Sequence, residues 1–148
     1  MRDTPVSTSA LERLVERLTA LLERRAEVLD AYLFGSLARG DGHAGSDVDI
    51  AVYIDEARAE GGAWGYRADL TTDLMGALNT NEVDVVVLNQ APPLLYHRVL
   101  RDGIRLLSRD LKATTQRAGM ALSRYLDFVP QMEKMDSARR YASRRNRD

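Results

Sequence analysis

Gly35 and Ser36, ten further residues, then Asp47 and Asp49 are the types and spacing in this chain that could do chemistry. They interrupt "LFGSLARGDGHAGSDVDIAVYI" (33–54), which otherwise reads as strand, loop, strand, although strand interiors disfavour both Gly and Asp. Asp47 and Asp49 stand two apart on the second strand, so their carboxylates project from one face. Asp84, in phase with Val86 and Leu88 on a later strand, adds a third carboxylate if that strand neighbours the second in register. Two unit charges about 4 Å apart repel by ~1 kcal/mol in water and ~4 kcal/mol at an effective dielectric of 20. Three crowded carboxylates therefore raise their own pKa values unless a cation sits among them. Mg²⁺ suits the set, being a hard ion often shared between carboxylates and substrate phosphates. Two such ions about 3.5–4 Å apart would serve an in-line phosphoryl or nucleotidyl displacement. Gly35 lets backbone N–H groups approach an anion and Ser36 adds a hydroxyl donor, which makes a triphosphate cradle beside the metal clamp. Arg39 is a candidate phosphate contact through its planar guanidinium, and equally a solvated helix residue.

These residues need a frame. Leu11, Leu14, Val15, Leu18, Leu21 and Leu22 recur at 3/4 spacing, predicting a helix over 9–26 with a capping box at Ser9 and Glu12. "VLDAYLF" (28–34) reads as a first strand that Gly35 breaks, before a helical turn and Gly-rich loop over 36–46. The second strand, 47–54, puts Val48, Ile50, Val52 and Ile54 on one face and Asp47, Asp49, Ala51 and Tyr53 on the other. A helix is expected at 63–79, a third strand at 82–88, and a helix opened by Pro92 and Pro93 and ended by Gly103. A short fourth strand at 104–107 and a long helix capped by Ser108, which Pro130 kinks or ends, complete the chain. The order α-β-α-β-α-β-α-β-α predicts an α+β domain, a small mixed β-sheet with helices packed on it.

The bulk numbers are those of one cytoplasmic, globular domain. The chain has 148 residues, 45% hydrophobic and 29% charged, with a net charge of −1 that steers it toward neither nucleic acid nor membrane. It has no cysteine, which excludes disulfides and thiolate metal sites, and two histidines are too few for a dedicated zinc site. No apolar leader and no run approaching about 18 apolar residues is present.

Gly35-Ser36, ten residues and Asp47-Val48-Asp49 together resemble the signature of the DNA polymerase β-like nucleotidyltransferase superfamily. "LFGSLARGDGHAGSDVDIAV" looks like its minimal nucleotidyltransferase (MNT) branch, and Asp84 in "VDVVVL" stands where that family has a third carboxylate. The resemblance covers residues 10–107 and implies the palm-like nucleotidyltransferase fold. It implies that Gly35 and Ser36 bind the triphosphate of ATP, and that Asp47 and Asp49 hold two Mg²⁺. Asp84 would help hold the catalytic metal and assist deprotonation of the acceptor. The family is also similar to antitoxins paired with HEPN-domain ribonucleases, which the MNT protein silences by moving AMP from ATP to a toxin tyrosine. The shortness of the chain favours that role by analogy, with 1–107 as catalytic core and 108–148 as a helix and basic tail for the partner. No membrane or direct nucleic-acid partner is expected. Two alternatives stand beside it: an antitoxin that neutralises by binding alone, and a transferase acting on a small-molecule hydroxyl such as that of an antibiotic.

Other residues read more plainly. Trp64, at helical spacing with Leu70, Leu74 and Leu78, is expected to pack in the core or at a helix edge. His43 could touch nucleotide or be an ordinary loop histidine, and His97 is expected at the surface or a boundary. Asp30 shares a face with Tyr32 and Phe34 and could point toward the site or simply precede the buried part of its strand. The tail after residue 130, with six Lys/Arg and three Asp/Glu, is expected to be a frayed, charged terminus, while Met132, Met135 and Tyr141 keep a partner-binding role open.

Overall fold

Alternating apolar residues build the centre of the molecule. A computed structural model describes residues 4–147, so Met1–Asp3 and Asp148, at the ends of the two expected segments, lie outside the described residues. Strands β1 (Val28–Phe34), β2 (Val48–Ile54), β3 (Val83–Val87) and β4 (Ile104–Ser108) form one sheet in the order β3-β2-β1-β4. β2 pairs antiparallel with β1 and parallel with β3, and β4 is antiparallel to β1, so the sheet is mixed as expected.

Helices cover both faces. On one side α1 (Thr8–Glu23) and α3 (Gly62–Leu78) bring Leu18, Leu22, Tyr66, Leu70 and Leu74 onto Leu33, Ile50, Val52 and Val85. Each large aliphatic side chain buried there contributes about 1.5–3 kcal/mol. On the other side α4 (Pro93–Asp102) and the first half of α5 (Leu111–Arg145) bring Tyr96, Val99 and Ala121 onto Tyr32 and Ala51. The short α2 (Gly35–Arg39) joins β1 to the loop before β2, and a 3-10 turn at Leu88–Gln90 follows β3.

Several expectations are corrected at the helix ends. The cap of α1 is Ser7, whose hydroxyl accepts from Ala10 N at 3.2 Å, rather than Ser9, because the helix already begins at Thr8. The cap of α5 is Asp110, whose carboxylate accepts from the Lys112 and Ala113 amides; Ser108 is the last residue of β4. Pro130 does not end α5, which runs on to Arg145, so the tail is helical rather than frayed. A proline removes one N–H, and here the carbonyl it leaves belongs to Leu126 on a solvent-exposed surface, where water can serve it.

Trp64 is 76% exposed, not packed. The buried stripe of α3 is Tyr66, Leu70 and Leu74, and at 100° per residue Trp64 stands about 200° round the helix from Tyr66. His97 is half-buried and stacks on Tyr125 with ring centroids 3.7 Å apart.

Asp30 resolves to the end of its face away from Asp49, since Asp30 pairs with Tyr53 while Phe34 pairs with Asp49. It is wholly buried and held by α5: Arg117 Nε donates to Oδ2 at 2.6 Å, Arg117 Nη2 to Oδ1 at 2.9 Å, and Thr114 Oγ1 to Oδ1 at 2.5 Å. Arg117 also lies over the Tyr53 ring, 4.9 Å from its centroid. No helix among the described residues is long and apolar enough to cross a membrane.

Candidate active site

The end of β1, the start of β2 and the start of β3 meet at one edge of the α4-facing side of the sheet. Parallel pairing of β2 with β3 places Asp84 directly opposite Asp49, and antiparallel pairing places Phe34, the residue before Gly35, on the other side of Asp49. Asp47 immediately precedes β2 and is exposed. The chain is pinned there by Val48 N donating to the Glu82 carbonyl at 2.8 Å.

Gly35 is required by geometry. Its φ is +75°, and a Cβ built on it would overlap Asp49 Oδ2 and come within 2.9 Å of Asp49 Cγ. Only glycine lets the backbone pass so close to this carboxylate. The opening of α2 has no side-chain cap, so the N–H groups of its first residues are open to an acceptor. Gly40 ends α2 in the left-handed conformation, and its N–H returns to the Ser36 carbonyl. The loop beyond is closed by its own groups: His43 N donates to Ser46 Oγ at 2.9 Å and Gly45 N to His43 Nδ1 at 3.2 Å. His43 is therefore a clip for the loop.

Asp49 is half-buried, and its carboxyl is pushed up to about 6 by burial, then by the neighbouring Asp84 and Asp47, with Arg39 pulling the other way. A half-buried carboxylate that resists ionisation, with two further carboxylates near it, is a donor set that a hard divalent cation would relieve, so the residues present fit Mg²⁺. They are not drawn into a closed cage. Among the described residues no three His, Asp or Glu side chains are gathered as a ready metal cluster. Asp84 is engaged elsewhere: its Oδ1 accepts from Arg67 Nη2 at 3.3 Å, an ion pair between two exposed groups.

Sequence reasoning missed Arg67, and it missed two more arginines. A cavity of about 420 Å³ opens beside Gly35, lined by Phe34, Arg39, Leu95, Arg98, Arg101 and Asp102. Arg39 is exposed and also reaches Asp41, Nε to Oδ2 at 3.5 Å, while Arg101 donates twice to Asp102, at 2.9 and 2.8 Å. Arg98 and Arg101 lie on α4, some sixty residues from the motif, and no spacing rule connects them to it. A cavity lined by three guanidinium groups and the uncapped start of α2 is suited to an anion.

Comparison with known proteins agrees with this geometry. The family model "Polymerase beta, Nucleotidyltransferase" matches residues 16–112. The protein adenylyltransferase MntA of Shewanella oneidensis is 36% identical over 75 residues, which are 51% of this chain and 50% of that protein. The alignment thus spans half the length of that relative. Among solved structures, a chain from the crystal structure of a toxin–antitoxin pair with AMP-PNP superposes with a TM-score of 0.70 at 27% identity, covering 84% of this chain and 97% of its own. A chain from the complex of tri-AMPylated Shewanella oneidensis HEPN toxin with MNT antitoxin superposes with a TM-score of 0.65, covering 86% of this chain and 98% of its own. At 23% identity that second likeness speaks for the fold alone.

Proposed function

This chain belongs to the polymerase β nucleotidyltransferase family, and on that premise we propose that it is a protein adenylyltransferase and the antitoxin of a HEPN/MNT pair. It would act in the cytoplasm, moving AMP from ATP to a tyrosine hydroxyl of a HEPN-domain toxin and so silencing it. The observation that carries this reading is the register that sets Asp84 against Asp49, with Gly35 pressed on Asp49 from the other side. The likeness to a named adenylyltransferase and to a toxin–antitoxin pair holding an ATP analogue supports ATP and the toxin as substrates.

In this reading Asp47, Asp49 and Asp84 hold two Mg²⁺ ions, with Asp84 at the catalytic one. When bound, Mg²⁺ supplies neutralisation of the phosphate charge and a lowered pKa for the acceptor hydroxyl. Gly35, Ser36 and the first amides of α2 bind the triphosphate, and Arg39, Arg98 and Arg101 hold its outer phosphates in the cavity beside them. The phenol oxygen attacks the α-phosphorus, the bond to the α–β bridging oxygen breaks, and pyrophosphate leaves with that electron pair. Asp84 takes the phenolic proton. The displacement runs in line when the phenol oxygen reaches the α-phosphorus from the side opposite the leaving pyrophosphate.

The helix and basic tail of 108–148 serve as the partner-binding segment. Every described side chain from Glu133 to Arg147 is exposed, Met135 and Tyr141 included, so this stretch contributes little to the core and much to available surface. The test of the whole reading is transfer of label from α-labelled ATP to the HEPN-domain protein with Mg²⁺ present. Label on that protein, lost with Asp47→Asn, supports the assignment. A stable complex that neutralises the toxin with no label moved would instead favour neutralisation by binding alone.

A further inference from the structure

Beside Asp84, on the side away from Gly35, lies a groove of about 280 Å³ lined by Trp64, Arg67, Val86, Gln90, Pro92 and Leu95 among others. Its wall is mainly apolar, and its most prominent member is a tryptophan three-quarters exposed, with the Arg67 guanidinium carbon 5.9 Å from the ring centroid. Arg67 belongs to both places at once, since it lines the groove and donates to Asp84. Val86 is the next residue of β3 on the same face as Asp84, so the floor of the groove runs directly into that carboxylate. Leu95 separates the groove from the arginine-lined cavity at Gly35, because it lines both.

The Asp49–Asp84 pair therefore stands between two unlike compartments. One offers guanidinium groups and helix amides, the other an exposed indole and aliphatic walls. A triphosphate suits the first and an uncharged ring suits the second. We propose that the Trp64–Arg67 groove is the acceptor site, in which the tyrosine ring of the protein substrate lies on Trp64 with its hydroxyl directed to Asp84. The inference rests on the adenylyltransferase reading for its choice of acceptor. It explains why a large apolar side chain is left in water at the mouth of a charged site, where helix packing gives it no role. Arg67 guides entry: it holds Asp84 while the groove is empty and can turn to the phenol ring by the same cation–π contact it makes with Trp64.

Trp64 is the single tryptophan of the chain, which makes the test local. The full-length protein labelled with 5-fluorotryptophan gives one ¹⁹F resonance, titrated separately with N-acetyl-tyrosinamide and with AMP-PNP·Mg²⁺. The proposal expects the tyrosine probe to shift the resonance at millimolar concentration and the nucleotide to leave it in place. A shift with nucleotide alone would make the groove a nucleobase site, and no shift with the tyrosine probe up to its solubility would remove the acceptor site; either overturns the proposal. In the transfer assay, Trp64→Ala should raise KM for the acceptor by roughly tenfold or more with KM for ATP unchanged within about twofold, and Trp64→Phe should recover most of the loss. An equal rise in both KM values, or none, would overturn it. Because the resonance reads the groove without turnover, failure of the transferase reading and failure of the groove proposal give different results.

Discussion

Asp84 lies directly opposite Asp49 across the parallel β2–β3 pair, and this one register turns two separate acidic residues into a site. The same register adds Asp84 to the burial that raises the Asp49 carboxyl, while Gly35, from the β1 side, presses on the same carboxylate and Arg67 pairs with Asp84.

The raised carboxyl of Asp49 has a consequence for stability. Its folded pKa, about 6, lies above the 3.8 of an ordinary aspartate, so the folded state binds this proton more tightly than the unfolded chain does. Below 3.8 the difference has no effect; destabilisation builds as pH rises from there and is complete above about 6. Asp49→Asn removes it. In EDTA at neutral pH that variant should be more stable by on the order of 1 kcal/mol after allowance for solvent screening, or about 2–4 °C in Tm. The advantage should shrink between pH 6 and pH 4. Thermal melts across that range check it, alongside complete loss of transfer in the same variant.

Gly35→Ala should be inactive for a steric reason. Its methyl group would displace the Asp49 carboxylate, and a displacement near 1 Å at a reacting centre costs roughly 100-fold in rate. The positive φ adds about 1–2 kcal/mol of destabilisation. Transfer rate and urea midpoint, measured on the same sample, separate the two effects.

Arg98→Ala should act on ATP and leave the acceptor alone. The expected change is a rise of roughly tenfold in KM for ATP, worth about 1.4 kcal/mol, with KM for the HEPN-domain acceptor unchanged. An unchanged KM for ATP would place the triphosphate outside the arginine-lined cavity.

Buried Asp30 makes Arg117 a structural residue. Arg117→Met leaves the carboxylate with Thr114 alone and should destabilise by about 3–5 kcal/mol. The double variant with Asp30→Asn should recover part of that loss. Urea unfolding of the two single variants and the double one measures the coupling.

Removal of residues 131–148 should lower Tm by no more than a few degrees, because the described side chains there are exposed apart from the partly covered Met132. Binding to the HEPN-domain partner should weaken at least tenfold, read by calorimetry on the truncated and full chains. Unchanged affinity would move the partner surface elsewhere.

The strands were readable because each carries its own alternation. "VLDAYLF" predicted β1 at its observed bounds, and the alternation through Val48, Ile50 and Val52 told which way Asp49 would face. The motif at 35–49 was readable because its Gly, Ser and Asp run against strand chemistry. What could not be read were meetings between distant residues. Asp30 and Arg117 stand 87 positions apart, and no local pattern says that a helix near the end of the chain will bury the first and cover it with the second. Arg98 and Arg101 reach the Gly35 cavity only because α4 packs beside α2. Trp64 shares helical spacing with Leu70, Leu74 and Leu78, yet the first turn of α3 presents it to solvent, on the side away from Tyr66. Of the two outcomes expected at Pro130, a kink or an end, the end does not occur, since the carbonyl the proline leaves belongs to the exposed Leu126, where water can satisfy it.

The central claim is transfer of AMP to a protein hydroxyl, and intact mass spectrometry of the HEPN-domain partner tests it most directly. After incubation with this chain, ATP and Mg²⁺, the partner should gain one or more whole AMP units, with the modification mapped to tyrosine and absent when Asp49→Asn or Asp84→Asn replaces the wild-type chain. A partner of unchanged mass, from a mixture in which the two proteins are bound and the toxin is neutralised, would contradict it.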